Sequence, residues 1–112
     1  MTATIAPMAD TITRGLIIKT KFLGPTNYRG SRVSATYKRD GETTYRVTID
    51  WSHSCGSEQN HQRAAQALLD KLNADRAEFY KSLGAPEIEA GVFEIVGMGW
   101  DHDNHFFMAA QP

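Results

Sequence analysis

Alternation between apolar and polar residues in the first half of the chain limits the available folds more than any other feature of the sequence. In residues 32–38 apolar side chains alternate with basic or hydroxyl side chains, and residues 44–51 repeat the pattern. Because successive side chains of a strand point to opposite faces, this period of two predicts half-buried β-strands. A shift of one residue would bury charge, so the register is well specified.

The residues before and between these two segments extend the pattern. From Ile12 to Phe22 apolar residues again fall mainly on one parity, with Ile17 as the main exception. Gly24-Pro25 ends this first strand, because proline has no N–H to donate to a sheet. Asp40-Gly41 predicts a hairpin between the second and third strands, since the central residues of a type I′ turn need positive φ.

Helical spacing replaces the alternation after the third strand. Ser57 is the predicted N-cap, with Glu58 favourably placed against the positive end of the helix dipole. Asp75 followed by Glu78 resembles a second capping arrangement, so one long helix stopped by Gly84 and two short helices both fit. The residues that recur at helical spacing are His61, Ala64, Ala65, Leu68 and Leu72.

Two further short strands are predicted at Val92–Met98 and His105–Ala109, separated by a polar turn at residues 99–104. The order β-β-β-α-β-β indicates an α+β fold. It fits an open antiparallel sheet with the helix on its apolar face, or an OB-like five-stranded barrel. The long helical region favours the open sheet. Residues 1–11 are predicted to be a flexible tail, and residues 12–112 a single domain.

Size and composition exclude several classes of protein. With 112 residues the chain can bury one core and not two, and 41% apolar and 22% charged residues are typical of a folded domain. No apolar run reaches the roughly 18 residues of a membrane span, and the N-terminal segment lacks signal-peptide features. The single cysteine, Cys55, cannot form an internal disulfide. These features predict a cytoplasmic protein without a membrane partner.

The formal net charge of −1 conceals an asymmetry along the chain. Residues 11–46 carry eight basic against two acidic residues, and residues 47–112 carry four against ten. On the predicted strands the polar parity would place cations on one face, at spacings that fit phosphates. The loop after the first strand adds arginines and a tyrosine that could stack on a base. The predicted nucleic-acid-binding residues are Lys19, Lys21, Tyr28, Arg29, Arg32, Lys38 and Arg46.

Other interpretations of the charges remain open. A solvated sheet face is also rich in Lys, Arg, Ser and Thr, and the oppositely charged halves could attract each other in the fold. The face lacks the exposed aromatic pair with which sheet-based readers bind single-stranded RNA. The acidic half suggests a protein partner instead, and exposed sheet edges leave a homodimer open. The residues predicted for that partner are Glu87, Glu89, Glu94, Asp101 and Asp103.

Motifs for metal binding and catalysis are weak. His53 and Cys55 at H-x-C spacing, together with His102 and His105, are residue types that bind zinc, but the spacing is not diagnostic. A nucleophilic role for Cys55 is a further alternative, although a small residue in a tight turn is the commoner outcome. The chain has no phosphate-binding loop, dinucleotide fingerprint, nucleophile elbow or paired carboxylates. We therefore predict a non-enzymatic protein without cofactor or metal.

The run TKFLGPTNYRGSR, from Thr20 to Arg32, resembles small proteins of bacterial prophages and other mobile elements. An alternating strand, a helix opening with Asn60-His61 and an aromatic final strand extend the general resemblance over residues 14–110. The resemblance carries over no catalytic or binding residue. It implies a context in which small accessory proteins bind nucleic acid, or bind and inhibit a host defence complex.

Overall fold

In the computed structural model, which describes residues 15–84 and 92–111, five strands form one antiparallel sheet and one helix lies on one of its faces. This confirms the predicted α+β order and the open sheet, which does not close into a barrel. The predicted tail at residues 1–11 lies outside the described residues. The elements are β1 (Leu16–Leu23), β2 (Arg32–Lys38), β3 (Thr44–Asp50), α1 (Ser57–Ser82), β4 (Glu94–Trp100) and β5 (His105–Ala110).

The strands lie side by side in the order β3-β2-β1-β5-β4. Strand β1 is therefore central, and it pairs with β2 on one side and β5 on the other. The helix returns the chain from the β3 edge towards the opposite edge. There β4 carries an irregularity in its pairing with β5 between Ile95 and Gly97.

The core lies between the helix and the apolar parity of the strands. Phe107, Ile18 and Val33 are almost completely buried on the sheet, as the alternation predicts for the first two strands. Each large side chain buried in this way contributes about 1.5–3 kcal/mol. From the helix, the buried apolar residues are Ala64, Ala65, Leu68, Leu69 and Leu72.

The β2–β3 connection is a hairpin, as predicted, but the type I′ turn is wrong. Of the described residues only Gly84 has a positive φ. Instead Asp40 Oδ1 accepts hydrogen bonds of 2.8 Å from the backbone N–H groups of Glu42 and Thr43. These two donors lower the pKa of the Asp40 carboxyl. The Arg39 N–H donates to the Thr43 carbonyl at 3.0 Å, so a longer loop replaces the two-residue turn.

The helix begins one residue before the predicted position, because its N-cap is Gly56 and not Ser57. The Gly56 N–H donates to Gln59 Oε1 at 3.0 Å. Asn60, fully buried, fixes the connector before the helix: its Oδ1 accepts from the Ser52 N–H at 2.8 Å, and its Nδ2 donates to the Ser52 carbonyl at 2.9 Å. These bonds tie the connector to the first turn of the helix and give the Ser52 N–H a partner.

A single helix runs to Ser82, so the alternative of two short helices is wrong. Gly84, at a φ of 81°, follows it in the left-handed conformation that commonly ends a helix. Strand β4 begins at Glu94 and not at the predicted Val92. The reason is a pair of 3.0 Å hydrogen bonds between the Asn73 side-chain amide and the backbone N–H and carbonyl of Phe93, which attach the chain to the helix at that point.

Gly15, the residue immediately before β1, lies in close contact with the last strand, β5. A Cβ atom at this position would stand 2.2 Å from the carbonyl oxygen of Ala109, a distance that no side chain tolerates. The predicted first strand includes residues 12–14, which lie outside the described residues. Its apolar parity is confirmed at Ile18, which is buried, whereas Lys19 is exposed. Phe22, predicted on the buried parity, is 45% exposed and contacts the Trp51 ring in an edge arrangement.

Candidate nucleic-acid interface

The sheet face opposite the helix, called here the outer face, carries the predicted strand cations. In β1 the odd-numbered side chains lie on this face, because Ile18 and Thr20 are buried beneath the helix. Pairing then fixes which residues of the neighbouring strands share the face. The five strand cations that the structure brings together on it are Lys19, Lys21, Arg32, Lys38 and Arg46.

Four of these cations have neutral cross-strand neighbours. Lys21 lies opposite Ser34, and Lys38 lies opposite Thr44. Thr36 is directly opposite both Lys19 on one side and Arg46 on the other. Two strand spacings place Lys19 and Arg46 about 10 Å apart, and Lys21 stands about 7 Å from Lys19 along β1. The four charges therefore form a positive cluster that cross-strand carboxylates do not neutralise.

These four cations surround a shallow depression of about 510 Å³ on the outer face. Its floor is made by short hydroxyl side chains, which leave the longer basic side chains standing above it. Such an arrangement suits an anionic group that accepts hydrogen bonds from ammonium, guanidinium and hydroxyl donors together. The depression is lined by Ile17, Lys19, Lys21, Ser34, Thr36, Lys38, Thr44 and Arg46.

Arg32 differs from the other strand cations. It lies directly opposite Asp50 in the β2–β3 pairing, and it does not line the depression. Its Nε is buried and has no hydrogen-bond partner within the described residues. A facing carboxylate offsets the guanidinium charge, so Arg32 contributes less than the other four to the positive cluster.

The loop between β1 and β2 places Tyr28 and Arg29 at one end of the sheet. Thr26 shapes this loop: its Oγ1 accepts from the Arg29 N–H at 3.0 Å, and its own N–H donates to the Arg29 carbonyl at 2.8 Å. Tyr28 is 95% exposed. Both predicted loop residues are therefore exposed, at the end of the sheet where β1 is joined to β2.

Sequence reasoning missed the contribution of β5 to the outer face. Phe106 lies directly opposite Lys19, and Met108 lies opposite Ile17. On their other side they face Gly99 and Gly97 of β4. Both apolar side chains are partly exposed, although the adjacent Phe107 is core. The unbroken apolar run Phe106-Phe107-Met108 was a signal that β5 has apolar side chains on both faces, but only the strand order shows that β5 lies beside β1.

The acidic residues predicted for a protein partner do not form one patch in the described part of the chain. Glu94 and Asp101 lie at opposite ends of β4, about 20 Å apart at the rise of a strand. Asp101 Oδ1 accepts from the N–H groups of Asn104 and Asp103 at 2.8 Å, and these bonds lower the pKa of Asp101. The carboxylate thus shapes the β4–β5 turn. Glu87 and Glu89 lie outside the described residues.

The histidines and the cysteine are distributed between different environments. Within residues 15–84 and 92–111, no three His, Cys, Asp or Glu side chains lie close enough together to hold a metal ion. His53 and His102 are exposed, and the half-buried Cys55 lies in the connector before the helix. His105 stacks on the buried His61 with ring centroids 4.0 Å apart. Among the described residues, His53, Cys55, His102 and His105 therefore do not come together in one metal site.

A second cavity, of about 440 Å³, lies on the helix side of the sheet. Its lining is largely aromatic and includes Tyr37, Tyr45 and Phe93, which also pack against the core. The Arg76 guanidinium stands 4.9 Å from the centre of the Phe93 ring, a cation–π contact. The cavity is therefore an end of the core, on the opposite face from the positive cluster.

Comparisons of this sequence with models of protein families, with curated proteins and with solved structures gave no match. What the chain does must therefore be inferred from its own geometry. No helix among the described residues is long and apolar enough to cross a membrane.

Proposed function

We propose that this chain is a non-enzymatic protein that binds nucleic acid through the outer face of its sheet. The observation that carries the proposal is the positive cluster of Lys19, Lys21, Lys38 and Arg46, whose cross-strand neighbours are Ser34, Thr36 and Thr44. A polyanion with regularly spaced charges is the ligand that such a surface attracts most strongly.

The spacing of the cations supports a phosphate backbone over a single small anion. The cations stand about 7 and 10 Å apart at the backbone and span three strands, so together they cover more surface than one phosphate occupies. They can instead contact successive phosphates of a chain laid across β1, β2 and β3. Tyr28 and Arg29 extend the same path at the end of the sheet, where Tyr28 is almost fully exposed.

Substitution of two cations at the centre of the cluster tests the proposal. The double variant Lys19→Gln, Arg46→Gln removes two positive charges around Thr36. We expect it to weaken binding of a fluorescent oligonucleotide by at least about tenfold at 50 mM salt, because two phosphate contacts are lost. Fluorescence anisotropy measures the affinity, and circular dichroism checks that the fold is retained.

A matched control separates position from net charge. Lys71 and Lys81 are exposed on the helix, away from the outer face, and Lys71→Gln with Lys81→Gln changes the net charge by the same two units. The control should bind like the native chain. Equal losses in both double variants would reduce the effect to net charge. If the native chain bound neither single-stranded nor duplex oligonucleotides at low salt, the proposal would be wrong.

A further inference from the structure

We infer that the nucleic acid bound by this chain is single-stranded, and that Phe106 is the position on which one of its bases stacks. The inference rests on the proposed function and adds the class of ligand to it. Phe106 lies on the same outer face as the positive cluster, directly opposite Lys19 in the β1–β5 pairing. A stacking ring and a phosphate-binding cation thus stand on neighbouring strands, about 5 Å apart at the backbone.

The surroundings of Phe106 leave room for a base. On the β4 side its neighbour is Gly99, and the next outer-face position of β4 is Gly97, opposite Met108. A Cβ atom added to either glycine would meet no other atom within 4 Å. The sheet therefore has a ledge of bare backbone beside a partly exposed ring, with Met108 and Ile17 continuing the apolar surface along the strands.

This ledge and the positive cluster divide the outer face between two chemistries. Cations lie over β1, β2 and β3, whereas Phe106 and Met108 of β5 and the facing Gly99 and Gly97 of β4 carry no charge. Glu94 stands at the far end of β4. A single strand presents the same division, with phosphates along one side and exposed base faces along the other. Base–aromatic stacking is tolerant of sequence and is worth about 1–3 kcal/mol per base.

The shape of the sheet argues against a duplex as the preferred ligand. Five strands about 4.8 Å apart make a surface about 19 Å wide, and three of the four cations stand on the inner strands β1 and β2, with Arg46 on the edge strand β3. The major groove of B-form DNA is only about 12 Å wide. A duplex could therefore touch this face through phosphates alone, and its stacked bases would leave Phe106 without a partner.

Substitutions of Phe106 that keep an apolar group test the inference without opening the sheet. We expect Phe106→Leu to weaken binding of single-stranded oligo(dT) or oligo(rU) by about tenfold, and Phe106→Tyr to bind like the native chain. The two oligonucleotides show whether DNA or RNA is preferred. Phe79→Leu is the matched control, because Phe79 is 59% exposed on the helix. Heparin binding reports the cations alone and should be unchanged in all three variants.

The outcomes separate this inference from the proposed function. Preference for single strands over duplex, with a loss confined to Phe106→Leu, supports both. Equal binding of duplex and single strands, with no effect of Phe106→Leu, would overturn the inference and leave the proposed function in place. Absence of binding to every oligonucleotide at 50 mM salt would overturn the two together.

Discussion

His61 shows how much a single residue of this chain depends on its surroundings. The side chain is only 4% exposed, and its Nδ1 shares a hydrogen bond of 2.7 Å with Thr20 Oγ1. The ring also stacks on His105 and meets the edge of Trp51. Burial, with a smaller contribution from the charge of His105, lowers the pKa of His61 from 6.5 to about 4. The folded chain therefore holds this imidazole neutral at pH values where the unfolded chain protonates it.

The stability of the fold should consequently fall in mild acid. Between pH 6.5 and about 4 the unfolded state binds a proton at His61 that the folded state does not, so stability is complete above pH 6.5 and decreases as the pH falls. The expected loss from this residue is about 3 kcal/mol. Urea denaturation at several pH values measures it.

Two variants distinguish His61 from other titrating groups. His61→Gln should be less stable at pH 7, but it should lose less further stability on acidification. His53→Gln, at an exposed position, serves as the control for loss of an imidazole outside the core. If His61→Gln and the native chain showed parallel pH profiles, the titration would have to be assigned to other residues.

The burial of individual residues could be predicted from the sequence where the period of a strand, two residues, or of a helix, 3.6 residues, determines which face a side chain is on. Ile18, Val33, Leu68 and Leu72 are buried for this reason. Helical spacing also includes His61, but Asn60 could not be recognised in the same way. Asn60 is buried where its side-chain amide bonds to the backbone of the connector, including both the N–H and the carbonyl of Ser52, and the sequence does not show the path of that connector.

At the scale of elements, hydrogen bonds between side chains and the backbone explain why the β2–β3 turn and the start of β4 differ from the sequence-based predictions. The Asp40 carboxylate accepts two N–H groups and so replaces the tight turn that Asp-Gly predicts. In the same way the Asn73 amide holds Phe93 and delays the start of β4. Local propensity indicates that a turn or strand is present, but such side-chain partners set where it begins and ends.

The Asn73 contact gives a prediction about β4. Asn73→Ala removes two hydrogen bonds to the Phe93 backbone, so we expect a loss of about 1–2 kcal/mol in the free energy of unfolding. Amide hydrogen exchange should accelerate at Phe93 and at the start of β4, while the β2–β3 pairing stays protected.

Gln66 offers a control on the same helix. Its side-chain amide is exposed and donates only to the Asp70 carboxylate, at 2.9 Å. Gln66→Ala should therefore leave both the unfolding free energy and the exchange at Phe93 nearly unchanged. Native exchange rates at Phe93 in the Asn73 variant would show that other contacts hold the entry to β4.

For the whole molecule, the placement of charge makes salt dependence the most direct measurement. With four outer-face cations on phosphates of a single strand, the slope of the logarithm of the binding constant against the logarithm of salt concentration should be about −3. In the variant Lys19→Gln, Arg46→Gln it should be about −1.5. Titrations between about 50 and 200 mM salt give both slopes. The same slope in both proteins would place the phosphates elsewhere.

The candidate site was only partly predictable at this scale. The alternation of residues predicted that the strand cations share one face, because the period of a strand can be seen in residues that are neighbours in the sequence. The neighbour of Lys19 on the other side is Phe106, 87 positions later in the chain. That juxtaposition follows from the insertion of β5 between β1 and β4, which no local pattern specifies.

The irregular pairing of β4 also bears on how these molecules behave in crowded solution. Val96 is an extra residue between Ile95 and Gly97, so it offsets the backbone donors and acceptors along the rim of the sheet. A second chain that paired in register with the first residues of β4 would be out of hydrogen-bond register beyond Val96. Open-ended growth into a ribbon of many copies is therefore opposed at that rim.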